Sequence, residues 1–141
     1  MKAISIIQPW ASLIGLGEKR IETRSWSTHY RGPIAIHASK AIPREVLELV
    51  HSTPHLRRAL IHCGVHALAD LPRGGIVATA TLVDCVRIDN HFDFTGYPEY
   101  ERSLGFYAEG RFGWIMENIA ALPDLVPAKG NLGIWEWEDA A

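Results

Sequence analysis

The fold this sequence predicts is a small α+β domain, a partly closed β-barrel of five to six strands with two to three peripheral helices. Three observations carry that expectation. Short apolar runs rich in Val, Ile and Thr recur along the chain, helix-spaced apolar patterns are confined to its first half, and glycine- or proline-bearing turns separate them. The 141 residues are 48% hydrophobic and 21% charged, enough for one domain (1–141) with a sizeable core. No repeat, low-complexity tract or linker divides them.

Ala3 to Ile7 is a short apolar run suited to a buried strand. Pro9 suits a helix's first turn, where its missing N–H costs nothing. Residues 10–14 follow as a short helix that Gly15 or Gly17 can stop. Lys19 to Trp26 reads as a strand, and Arg31-Gly32-Pro33 as a turn. In Ile34 to Ser39, Ile34, Ile36 and Ala38 alternate with Ala35 and His37, the pattern of a half-buried strand. Pro43 opens a helix running to about His51, and a second helical piece follows Pro54, with Leu56, Leu60 and Cys63 on one face. After a turn at 71–75, Ile76 to Ile88 is the longest expected strand, bent by a bulge. Residues 90–110 have no steady period and read as a long irregular loop. Phe112 to Glu117 is a strand, Leu122 to Pro127 a turn, and Gly133 to Trp137 the last strand.

Net charge is −2, which disfavours a general polyanion binder. The charge is unevenly spread, however. Residues 1–44 carry seven Lys/Arg and two acids, a balance of +5, while the remainder carries seven and fourteen, a balance of −7. A local phosphate site on an acidic body has this pattern. No apolar run is long enough to span a membrane and no signal peptide is evident. Two cysteines without metal-type spacing suggest free thiols in a reducing compartment, and a cytoplasmic location is expected.

The most informative stretch is 15–26, Gly-Leu-Gly-Glu-Lys-Arg-Ile-Glu-Thr-Arg-Ser-Trp. On a strand, Glu22, Arg24 and Trp26 share one face by period two, with Lys19 at the turn that feeds it. Two cations, a carboxylate and an indole there can hold an anion and stack on a planar ring. The same residues can equally form a structural ion-pair cluster capped by an indole.

The motif Gly17-x-Lys19-Arg20-x-Glu22-x-Arg24-Ser25-Trp26, preceded by Gln8-Pro9-Trp10-Ala11-Ser12-Leu13 and followed by Arg31-Gly32, resembles the ASCH domain (activating signal cointegrator homology). Leu82-Val83-Asp84-Cys85 and Lys129-Gly130-Asn131-x-x-Ile134-Trp135 look like the second half of the same family. The resemblance implies a PUA-like mixed barrel. Beside it lies a cleft lined by the first helix, the lysine-bearing loop and the next strand. Family members are described variously as nucleic-acid binders, ribonucleases and amidohydrolases that deacylate N4-acylcytidine. The amidohydrolase branch carries Lys-x-x-Thr with a nucleophilic threonine. Here the third residue after Lys19 is Glu22, and Thr23 falls on the opposite strand face, which disfavours that reaction.

The expected ligand is RNA or single-stranded nucleic acid, or a nucleoside-like small molecule. Lys19, Arg24, Arg31, Lys40 and Lys129 are the candidate phosphate contacts and Trp26 the stacking ring. Glu22 would be a polar base contact, His37 a hydrogen-bond donor at a strand end, and Asn131 belongs to the second motif. If the chain is instead an enzyme, it is expected to be a metal-independent hydrolase of RNA or a modified nucleoside such as N4-acetylcytidine. Lys19 and Glu22 would then be the catalytic pair, Lys19 keeping Glu22 ionised. A third reading is a protein-interaction module, should the 90–110 loop present Phe92, Phe94, Tyr97, Tyr100, Phe106 and Tyr107 outward. The pairs His51/His55 and His62/His66 have four-residue spacing, but Pro54 and Gly64 interrupt them, so neither a metal nor any cofactor is expected.

Overall fold

In the computed structural model, which describes residues 1–98 and 101–138, six strands form one mixed sheet. In chain order these are β1 (Lys2–Ile6), β2 (Ile21–Arg24), β3 (Gly32–Ala38), β4 (Gly75–Arg87), β5 (Phe112–Pro127) and β6 (Ile134–Glu136). Their spatial order is β2-β5-β4-β3-β1-β6. Strands β1 and β3 run parallel and all other neighbours antiparallel. Three helices, α1 (Trp10–Gly15), α2 (Arg44–Ser52) and α3 (Pro54–His62), accompany the sheet. The sheet curls into a half-barrel with three helices, the α+β class expected from the sequence. No helix among the described residues is long and apolar enough to cross a membrane.

Curvature comes from β4 and β5, of 13 and 16 residues, whose ladder shifts register three times. Each bulge bends the strand and increases its twist. One shift explains a departure from the sequence reading. Leu122 to Pro127 is not a turn but the far half of β5, because Pro123 falls where the ladder jumps from Ile76↔Val126 to Ala78↔Ala121. A proline needs no ladder partner at a bulge, so its missing N–H is tolerated there. Strand β3 also departs from expectation, being buried on both faces over 34–38. Ile34 and Ile36 pack into the main core with Ile4, Ile6, Leu82, Trp114 and helix α1. Ala35 joins Ala3, Ile76, Val126 and Trp135 on the reverse side. Alternation therefore marks two cores rather than core and solvent.

Helix α1 begins one residue after Pro9, which follows a cis peptide from Gln8. Proline has no side-chain cap to offer, and the buried Gln8 takes that role. Its Oε1 accepts the N–H of Ser12 at 3.0 Å, and its Nε2 donates to Ser12 Oγ and to Pro72 O at 2.8 and 2.7 Å. One amide side chain thus satisfies a helix-start donor and fixes α1 against the turn before β4.

The described residues of 90–110 are mostly irregular, as expected, apart from a 3-10 turn at Glu101–Leu104. Their aromatics face inward more than the interaction-module reading requires. Phe92 packs edge-on against Phe94 at 4.8 Å, Phe94 against Tyr107 at 4.9 Å, and the Arg20 guanidinium lies over Tyr97. Tyr100 lies outside the described residues. Phe106 alone of the five others is exposed.

Candidate functional site

The site grows from the turn after α1. Gly17, at φ +81°, folds the chain back so that the N–H groups of Glu18 and Lys19 both donate to Leu13 O. A residue with a Cβ is strained at that φ. The reversal drives Lys19 inward, to 1% exposure. Its ammonium donates to Glu101 Oε2 at 2.8 Å and to the Tyr107 hydroxyl at 2.7 Å, and that hydroxyl donates to Glu101 Oε2 at 2.9 Å. Glu101, itself 0% exposed, uses Oε1 to accept the backbone N–H groups of Arg20 and Ile21 at 2.5 and 2.9 Å. A carboxylate from the loop thereby caps the start of β2. Burial pushes the Lys19 pKa below its ordinary value, opposed by the attraction of Glu101, and pushes the Tyr107 pKa up. The Lys19 charge acts on Glu22 as well, but its ion-pair contact is with Glu101, 82 residues away in sequence.

Glu22 and Arg24 do share a strand face, with Arg24 Nη2 3.2 Å from Glu22 Oε2. Arg24 Nη2 also donates to Ser5 O at 2.6 Å. Just before β5, the strand paired with β2, Arg111 Nη2 donates to Thr23 O at 3.0 Å. Each guanidinium is pinned by a backbone carbonyl, and the Nε of each is buried without a hydrogen-bond partner among the described residues. These groups line a pocket of about 570 Å³ whose walls also include Trp10, Gly105, Phe106 and Asn131. Thr23 contributes to the wall too, but strand parity sets its side chain with Ile21, away from Glu22 and Arg24.

Burial raises the Glu22 pKa, against the pull of Arg24 and Lys19. A raised carboxyl pKa favours the fold fully below the unfolded value near 4.5, and that advantage is lost as pH rises through the folded value. Above that value the ionised Glu22 is therefore a net cost. Glu22→Gln is expected to raise the Tm at pH 7, with the gain shrinking toward pH 4. Thermal scans across that range check it, and a gain that persists unchanged at pH 4 would contradict it.

Of the residues expected from the sequence, the pocket collects Lys19, Glu22, Arg24 and Asn131. Trp26 does not line it. Its ring packs edge-on against Trp114 at 4.8 Å, and its carbonyl accepts the Trp114 Nε1–H. Arg31 is occupied by Thr28 O, Tyr30 O and Asp84. His37 is buried, its Nε2 2.8 Å from Ala128 O and its ring edge-on to Trp135. Lys40 and Lys129 are exposed, each two residues or fewer along the chain from a pocket residue, Ser39 or Asn131. A cleft of about 640 Å³ between α2 and α3 holds none of the expected residues. No group of His, Cys, Asp or Glu among the described residues is arranged for a metal ion.

Sequence reasoning missed Glu101 and Arg111, and named Tyr107 and Phe106 only as aromatics of the loop, not as parts of this site. Glu101, Tyr107 and Phe106 lie in a segment with no periodicity. Arg111 had one usable signal, its place directly before the strand that pairs with β2, Arg24 facing Phe112 across the ladder.

Comparison with known proteins agrees with the motif. Over 135 residues, 94% of the chain, the sequence is 34% identical to activating signal cointegrator 1 of Homo sapiens and 33% identical to that of Mus musculus. The chain spans only 22% of the length of these relatives. A crystal structure of a mutant ASCH protein from Zymomonas mobilis aligns with TM-score 0.49 at 15% identity, covering 89% of this chain and 74% of that one. Residues 4–124 match the ASCH domain, and with that match over most of its length the chain belongs to the ASCH domain family.

Proposed function

We propose that the chain binds RNA or single-stranded nucleic acid in the pocket between β1, β2 and the 101–106 segment. Arg24 and Arg111 contact phosphate, Glu22 accepts from a base edge, and Asn131 adds a polar contact at the opposite wall. Lys40 and Lys129 extend the phosphate path outside. The observation that carries this reading is the pair of carbonyl-pinned guanidiniums lining one pocket. Charged donors held in place lose little freedom when an anion arrives and make strong charge-assisted bonds to it. The family's link to RNA binding supports the same ligand class. A cytoplasmic, reducing location suits two cysteines that are both free.

The test is Arg24→Gln with Arg111→Gln, read by oligonucleotide binding across a salt series. Each lost charged contact is expected to cost about 1.5–3 kcal/mol and to flatten the salt dependence of log K by roughly 0.7. Unchanged binding by the folded double variant would sink the proposal.

A hydrolase acting in the same pocket has one observation in its favour, the carboxyl of Glu22 raised by burial beside a ligand-sized space. Turnover of RNA or N4-acetylcytidine that disappears in Glu22→Gln supports it. Absence of turnover by the intact chain removes it.

A further inference from the structure

We infer that Phe106, backed by the Arg111 guanidinium, is a stacking platform for one unpaired base at the mouth of the pocket. The inference deepens the nucleic-acid reading above and rests on it. Phe106 is 69% exposed while the neighbouring aromatics Phe92, Phe94, Tyr97 and Tyr107 engage one another or a cation. A large apolar ring left in water forgoes the favourable burial its neighbours obtain.

Its mounting is rigid. On one side, a Cβ at Gly105 would lie 2.7 Å from Lys19 Nζ and from the Tyr107 ring, so the backbone there sits tight against the buried network. On the other side, Tyr107 bonds to both Lys19 and Glu101. The ring between them is therefore presented by a pinned backbone, and little conformational freedom remains to be lost on binding. Arg111 lies 5.7 Å from the ring centroid, within cation–π range, and is itself tied to Thr23 O. The exposed Ile7, Leu49 and Leu132 continue the apolar rim.

Aromatic stacking of this kind is sequence-tolerant, because every base has a π-face, but it needs a base free of its own duplex stack. Phe106 thus selects unpaired over paired nucleic acid, while Arg24 and Arg111 supply charge without regard to pairing. Trp26, the ring expected to stack, is engaged with Trp114, and the indole of the pocket residue Trp10 donates to Leu104 O at 2.7 Å. Phe106 takes the role the sequence assigned to Trp26.

Fluorescence anisotropy with a labelled oligouridylate and with a blunt hairpin stem, each at two salt concentrations, tests the assignment. Wild type is expected to prefer the oligouridylate. Phe106→Leu is expected to weaken oligouridylate binding about 5- to 100-fold with an unchanged salt slope, and Phe106→Trp to retain it. Oligouridylate binding that is unaffected by Phe106→Leu, a Phe106→Trp variant as weak as the leucine one, or equal affinity for the stem overturns the platform and leaves the cleft reading standing. Wild type that binds neither probe overturns both.

Discussion

Glu101→Ala is expected to destabilise the fold by about 3–5 kcal/mol, the usual consequence of stripping one partner from a buried ion pair. Lys19 and Glu101 are 1% and 0% exposed, so water cannot take the place of either. Alanine strands the Lys19 ammonium beside only the Tyr107 hydroxyl and removes the acceptor for the Arg20 and Ile21 N–H groups. Lys19→Met is expected to destabilise comparably, leaving a buried carboxylate. The double substitution Lys19→Met with Glu101→Leu should cost clearly less than the two singles added, because neither charge is then left alone. Urea unfolding at pH 7 measures all three. Single variants that each cost under about 1 kcal/mol would refute the buried network. Glu101→Gln, which keeps an acceptor for β2 but not the charge, should fall between wild type and alanine.

The same network bears on function, because the segment it holds carries Gly105 and Phe106 to the pocket wall. Losses of binding in a Lys19 variant would therefore reflect the wall as well as any direct contact. Arg24 and Arg111 are cleaner probes of the ligand, since their carbonyl partners Ser5 and Thr23 retain their own strand pairing.

Trp114→Ala should cost a further large amount, about 3–5 kcal/mol, through lost burial and the cavity left behind. Trp114 is the largest fully buried side chain and sits in the main core opposite Glu22 across the β2–β5 ladder. Its Nε1 reaches Trp26 O at 3.2 Å, so the substitution also frees the chain after β2. Trp26→Ala, by contrast, removes a ring that is 37% exposed and whose carbonyl bond survives. Its cost should be well below that of Trp114→Ala, and it should leave oligonucleotide binding unaltered. Thermal and chemical denaturation of the two variants, with binding measured on each, separates the buried indole from the surface one. A Trp26→Ala variant that loses binding while staying folded would return the stacking role to Trp26.

Much of the fold was legible in the residues. Short apolar, Val/Ile/Thr-rich runs marked most strands, and Pro43 and Pro54 with the apolar residues that follow them marked α2 and α3, because such elements bury apolar faces and composition and pattern report that burial directly. The burial of β3 on its second face and the end of β5 escaped, the first because alternation reads the same whether that face meets solvent or another core, the second because its proline sits in a bulge. Both facts depend on what lies alongside the strand. At the site, adjacency along β2 correctly set Glu22 and Arg24 on one face. It could not reveal that Lys19 makes its ion-pair contact with Glu101, since that contact spans 82 positions through a loop without periodicity.

By itself the sequence determined the family, the α+β class and the stretch around which the pocket forms, because motif spacing and hydrophobic period are local properties of a chain. Only the tertiary structure decided which charges are buried together, which ring is left in water, and that Arg111 joins Arg24 in the pocket wall. Those outcomes depend on desolvation and on contacts between distant segments, and a side chain acquires its environment only when the sheet has brought them together.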